Sequence, residues 1–230
     1  GGSFAGNVAM AGTLGVTGTA TLSGNATIGT NDGDTRFHLN SANQYTMKFS
    51  NAGNVSGHIG GGGSDILRFS NAAGATIMEM NAGQITMPLQ PAFLVTPSAA
   101  QNNIAVGSQV DIVFGNEVYD VGSNFASNAF TAPVTGKYQL NGRVRLGAVH
   151  QPSAYYTMRI TTSNRVYEQI FDSNENSNGN LDYHPFEISV VADMDASDTA
   201  KIQIFQNSGT QETDIEAGTD NTQFSGFLAC

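Results

Sequence analysis

Residues 6–29 consist of four six-residue repeats, and each repeat opens with a glycine, at positions 6, 12, 18 and 24. Apolar residues fill the third and fifth places of the repeats: Val8, Met10, Leu14, Val16, Ala20, Leu22, Ala26 and Ile28. Every even position from 8 to 28 is therefore apolar or glycine, whereas the odd positions are small or polar. Alternation with a period of two predicts extended backbone with one buried and one solvated face.

This alternation is longer than an ordinary strand, which has about 3–10 residues. The glycines allow bends where side chains would clash, and the apolar face needs neighbouring chains or turns to cover it. Four short repeats are too few for a solenoid that stands alone. We therefore expect residues 1–30 to form a trimeric intertwined β shaft around a common axis, preceded by Gly1-Gly2-Ser3, which reads as the remnant of an expression tag.

A second repeat, with a spacing of twenty residues, begins at Met47 and again at Leu67. The matching segments are Met47-Lys48-Phe49-Ser50-Asn51-Ala52 and Leu67-Arg68-Phe69-Ser70-Asn71-Ala72. We interpret residues 31–88 as short hairpins that continue the shaft, and the alternative is a small independent β domain. Proline disfavours central strands, so Pro88, Pro91 and Pro97 predict that a shaft or collar of residues 31–90 ends near residue 90.

Residues 91–230 contain short strand-like segments separated by Gly, Asn, Asp and Pro. The segments are Ala92–Val95, Val110–Phe114, Lys137–Ala148, Tyr155–Ile160, Arg165–Phe171, Pro185–Val191, Ala200–Gln206 and Phe224–Ala229. Within Lys137–Ala148, alternate residues from Tyr138 to Leu146 share one face. So many short strands in one segment predict an all-β fold, with a jelly-roll β-sandwich as the head.

Charge and composition exclude several classes of partner. The chain has nine Lys and Arg residues and a formal net charge of −10, which argues against a nucleic-acid partner. No long apolar run is present, so we expect neither a transmembrane helix nor a signal peptide. The one cysteine, Cys230, cannot form a disulfide within the chain, and it is either a free thiol or a link between chains.

The head carries residues that resemble a known family. Phe130, five further residues, Gly136, one residue and Tyr138 match the hallmark segment of the complement-type globular head, the trimeric jelly roll related to tumour necrosis factor. Other matching positions are Phe114, Asp120, Phe125, the acidic turn 193–198 and the closing Phe224-Ser225-Gly226-Phe227-Leu228. The sequence departs from the pattern at Leu140 and Gly142, where aromatic residues are typical, and the gap from Phe125 to Phe130 is two residues short. The resemblance implies a homotrimer in which central strands meet around an axis.

We expect no catalytic site and no zinc site, because His38, His58, His150 and His184 lack ligand spacing with one another or with Cys230. Asp172, Glu175 and Asp182 could cleave glycans as paired carboxylates, although an Asn- and Ser-rich loop is more often only solvated. No cofactor is expected. Two acidic runs could gather Ca²⁺, with an ordinary acidic turn as the alternative; they are Asp193, Asp195, Asp198 and Asp214, Glu216, Asp220.

Binding is predicted for three long loops, Gly147–Ala154, Asp172–Pro185 and Asn207–Gln223, because binding residues concentrate on loops held by a rigid scaffold. The candidate receptor-binding residues are His150, Tyr155, Tyr156, Asp172, Glu175, Tyr183 and His184. For Tyr155 and Tyr156 the alternative is a place in the core or in a trimer interface.

The whole chain resembles the tip of a bacteriophage tail or head fibre. We therefore expect a homotrimeric fibre tip on the virion surface, outside cells, joined to upstream fibre proteins and binding a host glycan or surface protein. The alternatives are a non-viral secreted or surface adhesin, a structural spike and a glycan-degrading tailspike.

Overall fold

The computed structural model describes residue 17 and residues 47–51, 54–61 and 66–230. The predicted shaft of residues 1–30 lies outside these ranges, apart from residue 17. The described residues form three antiparallel sheets and one short helix. An all-β fold with a two-sheet sandwich was predicted and is confirmed.

The first sheet is a five-stranded meander in the order β1-β2-β3-β4-β5. Its strands are β1 (Met47–Asn51), β2 (Asn54–Gly61), β3 (Ile66–Asn71), β4 (Thr76–Asn81) and β5 (Gln84–Thr86). The last hairpin closes through Ala82 and Gly83, which have φ angles of 44° and 81°. Two successive positive φ angles define a two-residue turn whose twist matches the strands, which is why glycine stands there.

The second sheet has the order β13-β12-β15-β10-β9, and a short strand, β7, also pairs with β15. We call it the β12 sheet. Its strands are β7 (Gln109–Asp111), β9 (Phe125–Ala126), β10 (Ala129–Thr131), β12 (Tyr156–Thr162), β13 (Val166–Phe171) and β15 (Thr199–Gln206).

The third sheet, the β11 sheet, has the order β14-β11-β17-β6-β8, and β16 pairs with the end of β11. Its strands are β6 (Ala92–Thr96), β8 (Asn116–Val121), β11 (Gly136–Val149), β14 (Leu181–Met194), β16 (Asp214–Ile215) and β17 (Gln223–Leu228). A single turn of helix, α1 (Ser173–Asn176), lies between β13 and β14.

The core of the sandwich lies between these two sheets. Along β11 the alternate residues Tyr138, Leu140, Gly142, Val144 and Leu146 are all buried, as predicted. An aromatic cluster is centred on Phe93, whose ring stacks on Phe130 with centroids 4.6 Å apart and meets Phe224 edge-on at 4.9 Å. Tyr138 OH donates to Val134 O at 2.8 Å and so ties the turn before β11 to the core.

Two strand predictions were wrong in their limits, and strands β8, β9, β10 and β16 were not predicted. The segment 110–114 was predicted as strand, but β7 ends at Asp111; Ile112 and Phe114 remain buried as separate anchors. Strand β14 begins four residues before the predicted Pro185, which is tolerated there because β14 pairs only with β11 and is an edge strand. Strand β8 was missed, since its polar residues and its exposed position hide the alternation.

The chain enters the sandwich at one end and turns back at the other. At the entry, Leu228 N donates to Pro91 O at 3.0 Å, and Gln90 Nε2 donates to Leu228 O. In the β11–β14 ladder, Gly136 pairs with Met194 at this proximal end, whereas Val149 pairs with Leu181 at the distal end. The loops that follow β11, β13 and β15 therefore gather at the end opposite to the entry.

Candidate functional site

The distal end of the sandwich carries three loops that hydrogen bond to one another. We call residues 150–155, 172–180 and 207–213 the distal loop cluster. Gln151 N donates to Asn180 Oδ1 at 3.0 Å, and Asn180 Nδ2 donates to Glu212 Oε1 at 3.0 Å. Ala154 N donates to Ser208 Oγ at 3.1 Å. These bonds join the loops into one polar surface whose shape the fold fixes.

His150 holds this cluster together from within. Its Nδ1 accepts a hydrogen bond from Thr210 N at 3.2 Å, and its Nε2 lies 4.0 Å from Glu212 Oε1. Gly209 has a φ of 94°, and a Cβ there would lie 2.2 Å from His150 Nδ1, so glycine is required. With its side chain only 14% exposed, His150 positions the loops rather than projecting from them.

The two neighbouring tyrosines have different surroundings. Tyr156 is fully buried, and its OH accepts from His150 N at 3.0 Å and lies 2.8 Å from Thr213 Oγ1. Burial raises the pKa of this phenol, while the hydrogen bonds oppose the shift. Burial therefore removes Tyr156 from the candidate contact residues, in line with the alternative of a core position. The half-buried ring of Tyr155 lies 5.9 Å from that of Phe205.

Asp172 and Glu175 stand on the exposed surface of the cluster, at the single turn of α1. Asp172 is the N-cap, and its Oδ1 accepts from Glu175 N at 3.3 Å. Ser173 is buried beneath them and donates through Oγ to Ser153 O at 2.6 Å. The third predicted carboxylate, Asp182, lies on strand β14 rather than in the loop.

Tyr183 and His184 were predicted on a loop, and that prediction was wrong, because both lie in β14. They point to opposite faces of the strand. Tyr183 is 59% exposed, and Arg145 Cζ lies 4.8 Å from its ring centroid. His184 faces the core, with its ring 3.7 Å from Phe171 and 4.8 Å from Phe186. Burial lowers the pKa of His184, which fits a neutral packing residue better than a contact residue.

Both predicted acidic runs are engaged within the fold. Arg165 Nε and Nη2 donate to the two carboxylate oxygens of Asp193 at 3.1 and 3.3 Å, and this hydrogen-bonded ion pair lowers the pKa of Asp193. Asp198 Oδ2 accepts from Asp195 N at 2.8 Å, and Asp214 Oδ1 accepts from Asn103 N at 2.7 Å. Within the described residues, no group of three or more His, Cys, Asp or Glu side chains could hold a metal ion.

The residues that link the loops, Gln151, Asn180 and Glu212, were not among the predicted site residues. Each is one of many polar residues in its loop, and only the fold brings the three together. The Asn- and Ser-rich composition of residues 173–180 was the available signal, because such side chains bond to backbone and to one another in loops.

A second surface is the face of the β11 sheet that points away from the core. The strand register places Val121, Ala92, Phe227, Gln139 and Val191 in one row across it. Phe227 is 46% exposed and Val191 is 57% exposed. Gln139 lies between Phe227 and Val191 in this row, and its Nε2 donates to Ser189 Oγ at 2.9 Å, while Ser189 Oγ donates to Asn141 Oδ1 at 2.8 Å. This face thus combines exposed apolar side chains with an ordered polar network.

In the part of the chain that is described, no helix is long and apolar enough to cross a membrane. The chain matches no protein-family profile and no curated protein. Among solved structures it is similar to the globular domain of the zebrafish complement 1qA protein, with 18% identity and a TM-score of 0.43, covering 61% of this chain and 98% of that one. It is also similar to murine APRIL crystallised at pH 8.5, with 11% identity and a TM-score of 0.44, covering 60% of this chain and 98% of that one.

Proposed function

We propose that residues 91–230 are the receptor-binding head at the tip of a homotrimeric viral fibre. The observation that supports this best is the position of the distal loop cluster. The chain enters the sandwich at the proximal end, beside Leu228, whereas the cluster lies at the opposite end, beyond Val149. A shaft attached through residues 47–90 would therefore hold the cluster outward, toward a cell surface.

The cluster is suited to binding because its hydrogen bonds fix its shape before a ligand arrives. Loops that are already ordered lose little conformational freedom on association. The accessible groups include the carboxylates of Asp172 and Glu175 and the amides of Asn174 and Asn176, which can donate to and accept from sugar hydroxyls. A surface polysaccharide or an exposed protein of the host fits this chemistry.

The homotrimer is supported by the outward face of the β11 sheet. Contiguous exposed apolar surface on a folded protein commonly marks an interface. The exposed Phe227 and Val191, which flank Gln139, and the 49% exposed Tyr119 on β8 supply apolar surface on this face. Three copies that meet through this face would direct three distal loop clusters the same way. We assign the head to the virion surface, outside cells, with upstream fibre proteins as its other partners.

Two non-catalytic alternatives share the same geometry, namely a non-viral adhesin and a structural spike. The viral assignment rests on the glycine repeats of residues 6–29 and on the overall resemblance to phage fibres. A glycan-degrading tailspike is disfavoured because Asp172 and Glu175 stand together on the single exposed turn of α1, and Asp182 is exposed on β14. Retaining and inverting glycosidases instead place two carboxylates on either side of one bond.

The test uses the full chain. Light scattering is expected to give a mass near three times 24.1 kDa, and a monomer would refute the trimer. Binding is then measured on an array of bacterial capsular polysaccharides, lipopolysaccharides and outer-membrane protein extracts. The Asp172→Ala/Glu175→Ala variant is expected to lose binding, whereas Glu117→Ala on exposed β8 keeps it. Equal binding by both variants would refute the distal site, and release of reducing sugar would favour the tailspike.

A further inference from the structure

The meander of β1–β5 has one face that carries two rows of apolar side chains. Its register places Met47, Ile59, Phe69 and Met78 side by side across four strands. A second row contains Leu67, Met80 and Ile85. Directly paired residues share a face in an antiparallel sheet, so these seven side chains form one surface, which we call the collar face.

The opposite face of the same sheet is mainly polar. Lys48 pairs with His58 there, and Arg68 pairs with Glu79, which in turn pairs with Thr86. Arg68 Nε lies 2.5 Å from Glu79 Oε2, and these two side chains, 22% and 21% exposed, form a cross-strand ion pair. The meander is therefore an amphipathic sheet, with these charged side chains on one face and mainly apolar side chains on the other.

The described residues supply no second layer for the collar face. Among the strands that the structure describes, β1–β5 pair only with one another. The exposed fractions of Met47, Leu67, Met80 and Ile85 are 38%, 41%, 40% and 65%. A single sheet needs a packed hydrophobic face for independent stability, so something must cover these side chains.

We propose that the collar face is covered by the same face of two further copies of this chain, so that three meanders enclose a common apolar core below the heads. The number of copies rests on the proposed homotrimeric fibre. The partner is argued from size: five strands spaced by about 4.8 Å make a face roughly 20 Å wide. One extended ribbon, such as the alternating segment 8–28, presents a single strand's width, whereas a second meander matches the whole face.

Charge supports the same partner. None of the seven collar-face residues is charged, so identical faces can meet without repulsion. Beyond β5, Met87 and Leu89 line a groove with Val121 and Leu228 of the sandwich. Val121 lies in the same row of the β11 sheet as Phe227. Apolar residues thus link the end of the meander to the face proposed as the interface between heads.

The test exploits the absence of tryptophan from the chain, because a single introduced Trp reports on one place. Phe69→Trp and Met80→Trp label the collar face, and Lys48→Trp, on the exposed polar face of β1, is the matched control. Each full-length variant is examined by light scattering, circular dichroism, emission spectrum and acrylamide quenching. Met80 is 40% exposed and has room for the larger ring, so it serves if Phe69→Trp does not fold.

We expect a trimeric mass, with emission of Phe69→Trp or Met80→Trp shifted to the blue and a quenching constant several-fold below that of Lys48→Trp. A trimer in which all positions are quenched equally would overturn the collar proposal and leave the trimeric head standing. A monomer with a shielded collar face would show that a segment of the same chain covers it, which overturns the proposal. A monomer with an exposed face would overturn both.

Discussion

Gly226 of β17 is expected to tolerate no side chain. A Cβ at this position would lie 2.8 Å from Leu140 Cδ2, 2.9 Å from Phe93 Cε1 and 2.9 Å from the backbone oxygen of Gln139. Real Cβ contacts do not occur below 3.0 Å, so Gly226→Ala must displace the neighbouring strand as well as two core side chains. The backbone oxygen is the decisive contact, because β11 is fixed on both sides by β14 and β17.

The magnitude follows from two opposing effects. Overpacking a close-packed core costs about 1–3 kcal/mol, whereas replacing Gly by Ala recovers about 0.4–1 kcal/mol by restricting the unfolded chain. We therefore expect Gly226→Ala to lower the free energy of unfolding by about 1–2 kcal/mol. Gly142, on the neighbouring strand β11, is the matched control. Its Cβ would meet only the ends of Met158, Ile202 and Ile160, which can rotate away, so Gly142→Ala should cost less.

The assay is urea unfolding of the full chain, followed by circular dichroism. Association contributes to apparent stability, so all variants are compared at one protomer concentration. If the backbone contact decides the cost, the urea midpoint of unfolding falls further for Gly226→Ala than for Gly142→Ala. Equal midpoints, or a larger loss for Gly142→Ala, would show that the backbone contact at Gln139 does not decide the cost and would refute the argument.

Three further perturbations test single features of the head. Burial lowers the pKa of His184 below its ordinary 6.5, so the unfolded chain binds a proton first and stability falls as the pH drops below about 6.5. The His184→Phe variant should therefore show a smaller fall in its urea midpoint over this pH range. An unchanged pH profile would contradict this role of His184. Asp120→Ala removes the acceptor of two turn amides, Asn124 N at 3.0 Å and Phe125 N at 2.8 Å. It should lower the free energy of unfolding in urea by about 1–3 kcal/mol, with Asp120→Asn less affected. Equal stability of the unchanged chain and both variants would show that these hydrogen bonds do not stabilise the turn. Tyr156→Phe leaves Thr213 without its 2.8 Å partner and should speed hydrogen exchange at residues 210–213, whereas unaltered exchange would show that the phenol does not order this loop.

Much of the sandwich could be predicted because its strands carry alternation that one chain satisfies by itself. Tyr138 to Leu146 face inward as the pattern indicates, and they meet Ile160 and Ile202 of the other sheet. Strand β8 was missed because an edge strand needs no apolar face. The start of β14 was missed because Pro185 reads as a boundary, although on an edge strand it removes no ladder hydrogen bond.

The candidate site was less predictable, because the same residue types serve in cores and in binding surfaces. Tyr155 and Tyr156 are adjacent in the sequence, yet only Tyr156 is fully buried. Tyr183 and His184 are likewise adjacent and take opposite faces of one strand. Which member of each pair faces solvent depends on the register with β11 and β15. That register is set by residues far away in the chain, and no local pattern contains it.

The meander and the head differ in what completes their hydrophobic cores. In the head, the inward rows of the β11 and β12 sheets face each other within one protomer, so its core exists in a single copy. In the meander, the alternation is equally regular, but the described chain provides only one of the layers that a core needs. Dilution should therefore affect the two parts differently. The meander should lose order when copies separate, whereas the head should keep its sandwich, because only the meander takes its second layer from another molecule.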